Sequence, residues 1–171
     1  MNVILATDRL VLRQMSVSDA IHLLEIFSDP AAMKYYPSTK NRSETLQWIE
    51  WNQLNYQRYD AGLWIIEKKS SGAFIGQCGI VPQSIEGKTE FEIGYLFKRS
   101  YWGKGFASEA AMGCKYYGFN ELLLPKLISL IDIKNNRSVK VAERIGMRLE
   151  KNVVKWEKMN HLYSVYNRDR G

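Results

Sequence analysis

The chain has 171 residues, of which 46% are apolar, and its 24 Lys and Arg outnumber its 18 Asp and Glu to leave a formal charge of +6. A chain of this length makes one domain, residues 1–171, able to bury a sizeable core, which excludes a mainly disordered state and a separate second module. No segment approaches the ~20 apolar residues of a membrane span, and the N-terminus lacks the basic segment and small-residue cleavage site of a secretory signal, so a cytoplasmic location is expected.

Residues 3–14 carry strand formers on either side of a Thr-Asp-Arg turn. Ser16, with Asp19 three residues later, resembles a capping box. The spacing of Ala20, Leu23, Leu24 and Phe27 then predicts a helix with one apolar face, ending at Asp29-Pro30. Residues 43–60 read as a second helix with two stripes, one of Leu46, Ile49, Gln53 and Tyr56 and one of Trp48, Trp51 and Tyr59. One stripe suffices for a core, and the second suits either core or the wall of a cleft.

From residue 63 the period changes from 3.6 to 2, and three strands at 63–69, 74–82 and 89–97 are joined by short Gly-containing turns, the pattern of an antiparallel meander. On the last strand Phe91, Ile93, Tyr95 and Phe97 share a face expected in the core, while Glu90, Glu92, Gly94 and Leu96 share the other. Gly103 and Gly105 open a helix rich in small residues, and a buried strand follows at 126–133. Asn135 with Ser138 begins a short helix that Gly146 closes, and 147–158 with 160–168 read as a final strand pair. The order β-α-α-β-β-β-α-β-α-β-β predicts an α/β chain with a mixed sheet covered by helices.

Several chemistries are excluded. Cys78 and Cys114 stand 36 residues apart, neither a CxxC spacing nor a disulfide framework, and read as buried thiols. His22 and His161 are the only histidines and form no ligand pattern, so no metal site is expected. The GxSxG signature of a Ser-His-Asp hydrolase is missing. The modest positive excess admits a nucleic acid, an acidic membrane or a polyanionic small molecule. Aromatics are not interleaved with basic residues on a strand platform, which disfavours nucleic acid.

Two glycines where a strand leads into a helix have a physical use. The backbone approaches a ligand closely there, and the free N–H groups of the first turn, aided by the helix dipole, hold an anion such as phosphate. A dinucleotide fingerprint fits poorly because Ser108 takes its third-glycine place, and a P-loop fits poorly because Lys98 stands where its first glycine belongs.

The segment EIGYLFKRSYWGKGFASEA at 92–110 resembles the acetyl-CoA pyrophosphate loop and helix of the GCN5-related N-acetyltransferases (GNAT), and NNRSVKVAERIGM at 135–147 resembles that family's NxxS…GF segment. With TDRLVLR near the start and WIIEKKSSGAFIGQCGI in the middle, the likeness spans essentially the whole chain and is strongest to the branch of ribosomal-protein N-terminal acetyltransferases. It implies the GNAT fold, a central mixed but mostly antiparallel sheet with splayed strands and about four flanking helices. Pantetheine would enter the splay and pair with the backbone of Leu96, Phe97 and Lys98. The N–H groups of Trp102, Gly103, Lys104, Gly105, Phe106 and Ala107 would hold the pyrophosphate, with Lys104 or Arg99 adding charge. Asn135 is implied as a cofactor ligand, a helix cap, or both. The chain departs from the family pattern at Arg99 and Ser100, where a Pro and a Gln or Arg are common.

The implied activity is transfer of an acetyl group from acetyl-CoA, as co-substrate, to a primary amine of a protein N-terminus or a small molecule. Direct transfer in a ternary complex is expected, since neither cysteine has a histidine close to it in sequence to activate it. The amine must lose a proton, and Glu92, ahead of Glu90 or a water relay, is the expected base. The family's usual acid, a Tyr, is replaced by Ala142, which leaves Ser138, placed near the sulfur by the resemblance, or water. Tyr36, Trp48, Trp51 and Trp64 are expected to line the amine pocket. A non-catalytic acyl-CoA sensor on the same fold is the alternative. The expected partner is the amine, with neither membrane nor nucleic acid, and the chain a monomer or homodimer.

Overall fold

The computed structural model describes residues 2–168. Its N-terminal residues form two short strands, β1 (Val3–Ala6) and β2 (Leu10–Arg13), where the sequence order counted one. The turn between them is closed by the Thr7 N–H donating to the Leu10 carbonyl at 2.9 Å. The capping box is present: the Ser16 N–H donates to Asp19 Oδ2 at 2.8 Å, and Asp19 also pairs with Arg13 at 2.8 Å. Helix α1 (Ala20–Phe27) buries Leu23, Ile26 and Phe27, and α2 (Arg42–Tyr59) starts at an Asn41–Glu44 capping box with both bonds at 2.9 Å.

The meander follows as β3 (Leu63–Lys68), β4 (Phe74–Ile85) and β5 (Lys88–Phe97), all antiparallel. Helix α3 (Phe106–Asn120) crosses back over the sheet, its Ala110 and Ala111 fully buried because small side chains let the helix lie close. Strand β6 (Lys126–Asp132), helix α4 (Asn136–Arg144), β7 (Arg148–Lys155) and β8 (Lys158–Tyr166) complete an eight-stranded sheet in the order β1-β2-β3-β4-β5-β6-β8-β7. The final hairpin turns at Trp156 and Glu157, earlier than the sequence partition placed it. Both residues have positive φ, 54° and 60°, which is the primed turn that matches strand twist, here made without the Asn-Gly pair that would announce it.

All pairings are antiparallel except β5 with β6, and that ladder is registered only at Glu92 and Ile128. Toward their C-terminal ends these two strands both line a cavity, so the sheet opens there. Among the described residues no helix is long and apolar enough to cross a membrane.

Candidate active site

Glu92 is the residue of β5 registered with β6, at the point beyond which those two strands part. Its carboxylate is buried, with Oε1 accepting from Gln83 Nε2 at 2.9 Å and Oε2 accepting from the Leu130 N–H at 2.7 Å. Burial penalises the charged form and raises its pKa to about 7, although the two hydrogen bonds and Lys155 pull the other way. The cavity it faces has a volume of about 420 Å³. One wall comes from β5 and β6, through Tyr95, Leu96 and Ile131; another comes from α2 and the segment before it, through Tyr36, Lys40, Trp48 and Trp51; the tip of the last hairpin adds Trp156 and Lys158. Trp48 is oriented by its indole N–H donating to Gln77 Oε1 at 3.0 Å, and its ring lies 5.4 Å from that of Trp51.

On the other side of the opening the backbone itself is the feature. The Lys98 N–H donates to Ile75 across the sheet, so by strand alternation Leu96 also faces β4, and the peptide groups of Tyr95 and Phe97 face the opening. This moves the expected backbone contacts from Leu96 and Lys98 to Tyr95 and Phe97. The Phe97 carbonyl already accepts from the Trp102 indole at 3.0 Å, which folds the loop back on the strand end. Gly103 and Gly105 have φ of 76° and 82°, the left-handed region that favours glycine. A Cβ on Gly103 would meet nothing within 4 Å, so the loop presents an open cradle before α3.

Side chains from distant segments hold that loop. Arg9 donates to Glu109 at 2.7 Å and to the Lys104 carbonyl at 3.1 Å, and stacks its guanidinium 4.2 Å from the centre of the Phe106 ring. Arg137 lies 4.1 Å over the Trp102 ring, which brings α4 against the loop. Arg99, expected as a phosphate contact, is paired with Asp29 at 2.6 Å, and Lys98 with Glu25 at 2.7 Å, so they pin the strand end to α1 and to the segment just after it. Lys104 carries no such pair among the described residues.

Asn135 caps α4, its Oδ1 accepting from the Ser138 N–H at 3.2 Å, and both residues line the cavity. The cap uses the backbone of Ser138 and not its hydroxyl. The Tyr95 hydroxyl reaches across the opening to donate to the Ser138 carbonyl at 3.4 Å, although its strand face was expected in the core. Burial raises the Tyr95 pKa, which keeps that hydroxyl protonated. Tyr36, Trp48 and Trp51 line the cavity as expected. Trp64 does not: it is fully buried on β3, edge-on to Tyr117 of α3 at 5.1 Å, because its face of the strand looks toward that helix. Glu90 is paired with Lys126 at 3.6 Å, away from the cavity lining.

A family model described as acetyltransferase (GNAT) domain matches residues 9–148. The chain belongs to the GNAT family. It is 48% identical over 160 residues, 93% of each chain, to the uncharacterized protein YkkB of Bacillus subtilis (strain 168). A solved acetyltransferase from Agrobacterium tumefaciens str. C58 superposes with a TM-score of 0.84 at 26% identity, covering 95% of this chain and 93% of that one. RimL, a ribosomal L7/L12 α-N-protein acetyltransferase solved in complex with coenzyme A, shares the fold with a TM-score of 0.79 at 19% identity over 96% of this chain and 98% of its own. The mixed sheet with its opening between β5 and β6 and four α-helices is the GNAT architecture that the sequence resemblance implied. In this GNAT chain β5 runs from the cavity, which it lines from Glu92 to Leu96, toward the glycine loop that follows its end.

Proposed function

We propose that this protein transfers the acetyl group of acetyl-CoA directly to a primary amine, with Glu92 as the base. The observation that carries the reading is a buried carboxylate titrating at about 7 on the wall of a cavity, at the point where the sheet opens. The residues present fit acetyl-CoA: an open glycine cradle at a helix start for the pyrophosphate and outward peptide groups at Tyr95 and Phe97 for an extended chain. Trp102, Gly103, Lys104, Gly105, Phe106 and Ala107 would hold the diphosphate through backbone N–H groups, with Asn135 at the far side of the cleft. Bound there, acetyl-CoA supplies an acyl group already activated as a thioester.

The chain's own groups account for the protons. Glu92 accepts one from the incoming ammonium, since only the free amine is nucleophilic, and passes it on to solvent between turnovers. The outward N–H of Tyr95 is placed to stabilise a developing oxyanion. As the tetrahedral intermediate collapses, Ser138 gives its hydroxyl proton to the leaving sulfur and regains one from the second N–H proton that the former ammonium sheds, and the protonated Tyr95 hydroxyl, bonded to the Ser138 carbonyl, holds that turn of α4 in place. Neither cysteine suits an acetyl-enzyme: both are fully buried, and burial raises the Cys114 thiol well above its ordinary value, with Cys78 in contact at 3.5 Å adding to the rise.

A panel of amines and peptides, followed by thiol release from acetyl-CoA, tests this. Turnover of at least one amine is expected, with kcat/KM rising with pH up to about 7 as Glu92 loses its proton and levelling off once the amine's own titration is divided out. Acetyl-CoA binding without turnover of any member would overturn the proposal and leave the sensor reading.

A further inference from the structure

The acceptor end of the cavity is unevenly charged. Two carboxylates line it, Glu92 and Asp132. Asp132 is neutralised by Lys158 at 2.9 Å and also accepts the Lys134 N–H at 2.9 Å. Lys158 is further tied down by the Tyr35 carbonyl, to which its ammonium donates. Glu92 is enclosed, held by Gln83 and Leu130, and committed to proton transfer. The remaining charge is Lys40, half-buried between α1 and α2, with its Nζ 5.1 Å from the centre of the Trp48 ring and 5.9 Å from that of Phe27. Among the described residues it forms no ion pair.

We infer that the natural acceptor is an amine that also carries an anionic group, which Lys40 binds while the amine reaches Glu92. The inference deepens the amine-acetyltransferase reading and rests on it. A second ammonium on the acceptor would find no uncommitted carboxylate in the lining. A purely apolar acceptor would cover Lys40 and strip it of water with nothing in return, a cost that grows as the site dries. An acceptor carboxylate or phosphate removes that cost. The aromatic faces of Phe27 and Trp48 hold the ammonium on one side by cation–π attraction and keep water from it, which strengthens a charge pair formed on the other side. Trp51 and Tyr36, which line the same cavity, offer flat surfaces for the part of the acceptor between its two charged ends.

The test compares ω-amino acids from glycine to 6-aminohexanoate with their primary carboxamides, which keep the spacing and remove the charge. Dipeptides with Asp or Asn second in the chain, and spermidine as a polycation, complete the set. At the best spacing the acid is expected to exceed its amide by roughly tenfold in kcat/KM, the size of a hydrogen bond to a charged group, with the difference in KM. Lys40→Met, which keeps the length of the stem over the rings, should bring the ratio to near one, and Lys40→Arg should restore most of it. Preference among dipeptides but not free amino acids would assign the anion to an acidic peptide, and the reverse to a small metabolite. Amides equal to acids at every spacing and in the dipeptides, a ratio that survives in a folded Lys40→Met, or spermidine as the best acceptor would each overturn the charge assignment while leaving the acetyltransferase reading intact. Failure to acetylate any amine would overturn both.

Discussion

The glycine loop and the cavity are made of different material. The part proposed for the cofactor is backbone: two glycines of positive φ, the first turn of α3 and the outward peptide groups of Tyr95 and Phe97, with Arg9 and Arg137 packed behind or across the loop as supports. The cavity proposed for the acceptor is side chain: Glu92, Lys40, Tyr36, Trp48, Trp51 and Trp156, drawn from segments far apart in the chain. A backbone site recognises what every acetyl donor shares and tolerates side-chain change. A side-chain site can be respecified by a few substitutions without touching the fold, as expected of a scaffold that keeps one donor and varies the acceptor.

That contrast can be broken most sharply at Glu92. Glu92→Gln keeps the shape and an acceptor for the Leu130 N–H but removes the proposed base, and turnover is expected to fall ~10²–10⁴-fold. Its stability should move the other way. Glu92 titrates near 7 when folded and near its ordinary 4.5 when unfolded, so the folded state holds an extra proton between those values and loses stability as pH rises through them. The variant should therefore melt higher than the wild type at pH 8 and at a similar temperature at pH 5. A Gln variant that melts lower at pH 8 would show that the carboxylate is held charged by attractions the present geometry does not contain.

The next effect is at Ser138. Its hydroxyl takes no part in the α4 cap, so Ser138→Ala should leave the melting temperature almost unchanged and lower kcat by about 10²-fold, the low end for a positioned acid. Tyr95→Phe is the control: if it costs more kcat than Ser138→Ala, the proton comes from the tyrosine. Smaller still is the effect at the cofactor end. Gly105→Val must hold a β-branched residue at φ 82°, with its Cβ 3.4 Å from Arg9, at about 1–3 kcal/mol of strain. Acetyl-CoA affinity by calorimetry should drop about tenfold, one lost phosphate contact, while kcat at saturation stays near wild type. Wild-type affinity in that variant would remove the loop from the site.

The same contrast explains what the sequence made legible. The cofactor end is nearly contiguous, so its glycines, the helix they open and the Asn135–Ser138 start of α4 stand out by spacing alone. Glu92 was also visible, as a carboxylate on the face of a strand opposite its aromatics. Tyr95 was misread because alternation assigns a residue to one face or the other of a continuous sheet, and this sheet parts beside it. Trp64 was misread because an aromatic in a period-2 run carries no mark of which side faces the cleft, and its side faces α3. Arg9 and Lys40 give no local signal: Arg9 meets Glu109 across a separation of 100 residues, and Lys40 matters through the charges that are missing around it.

The sheet itself is two blocks, β1 to β5 and β6 with β8 and β7, and the seam between them is thin. Besides the single registered pair, Ser129 fastens β6 to the Ile93 carbonyl at 2.9 Å, and Glu92 fastens β5 to the Leu130 N–H. The carboxylate proposed as the base is thus also a rivet, set at the apex from which the two blocks diverge. Cutting it back to a methyl group would remove one of the bonds across this seam as well as the proposed base, so the kinetics of such a truncation would report on both at once.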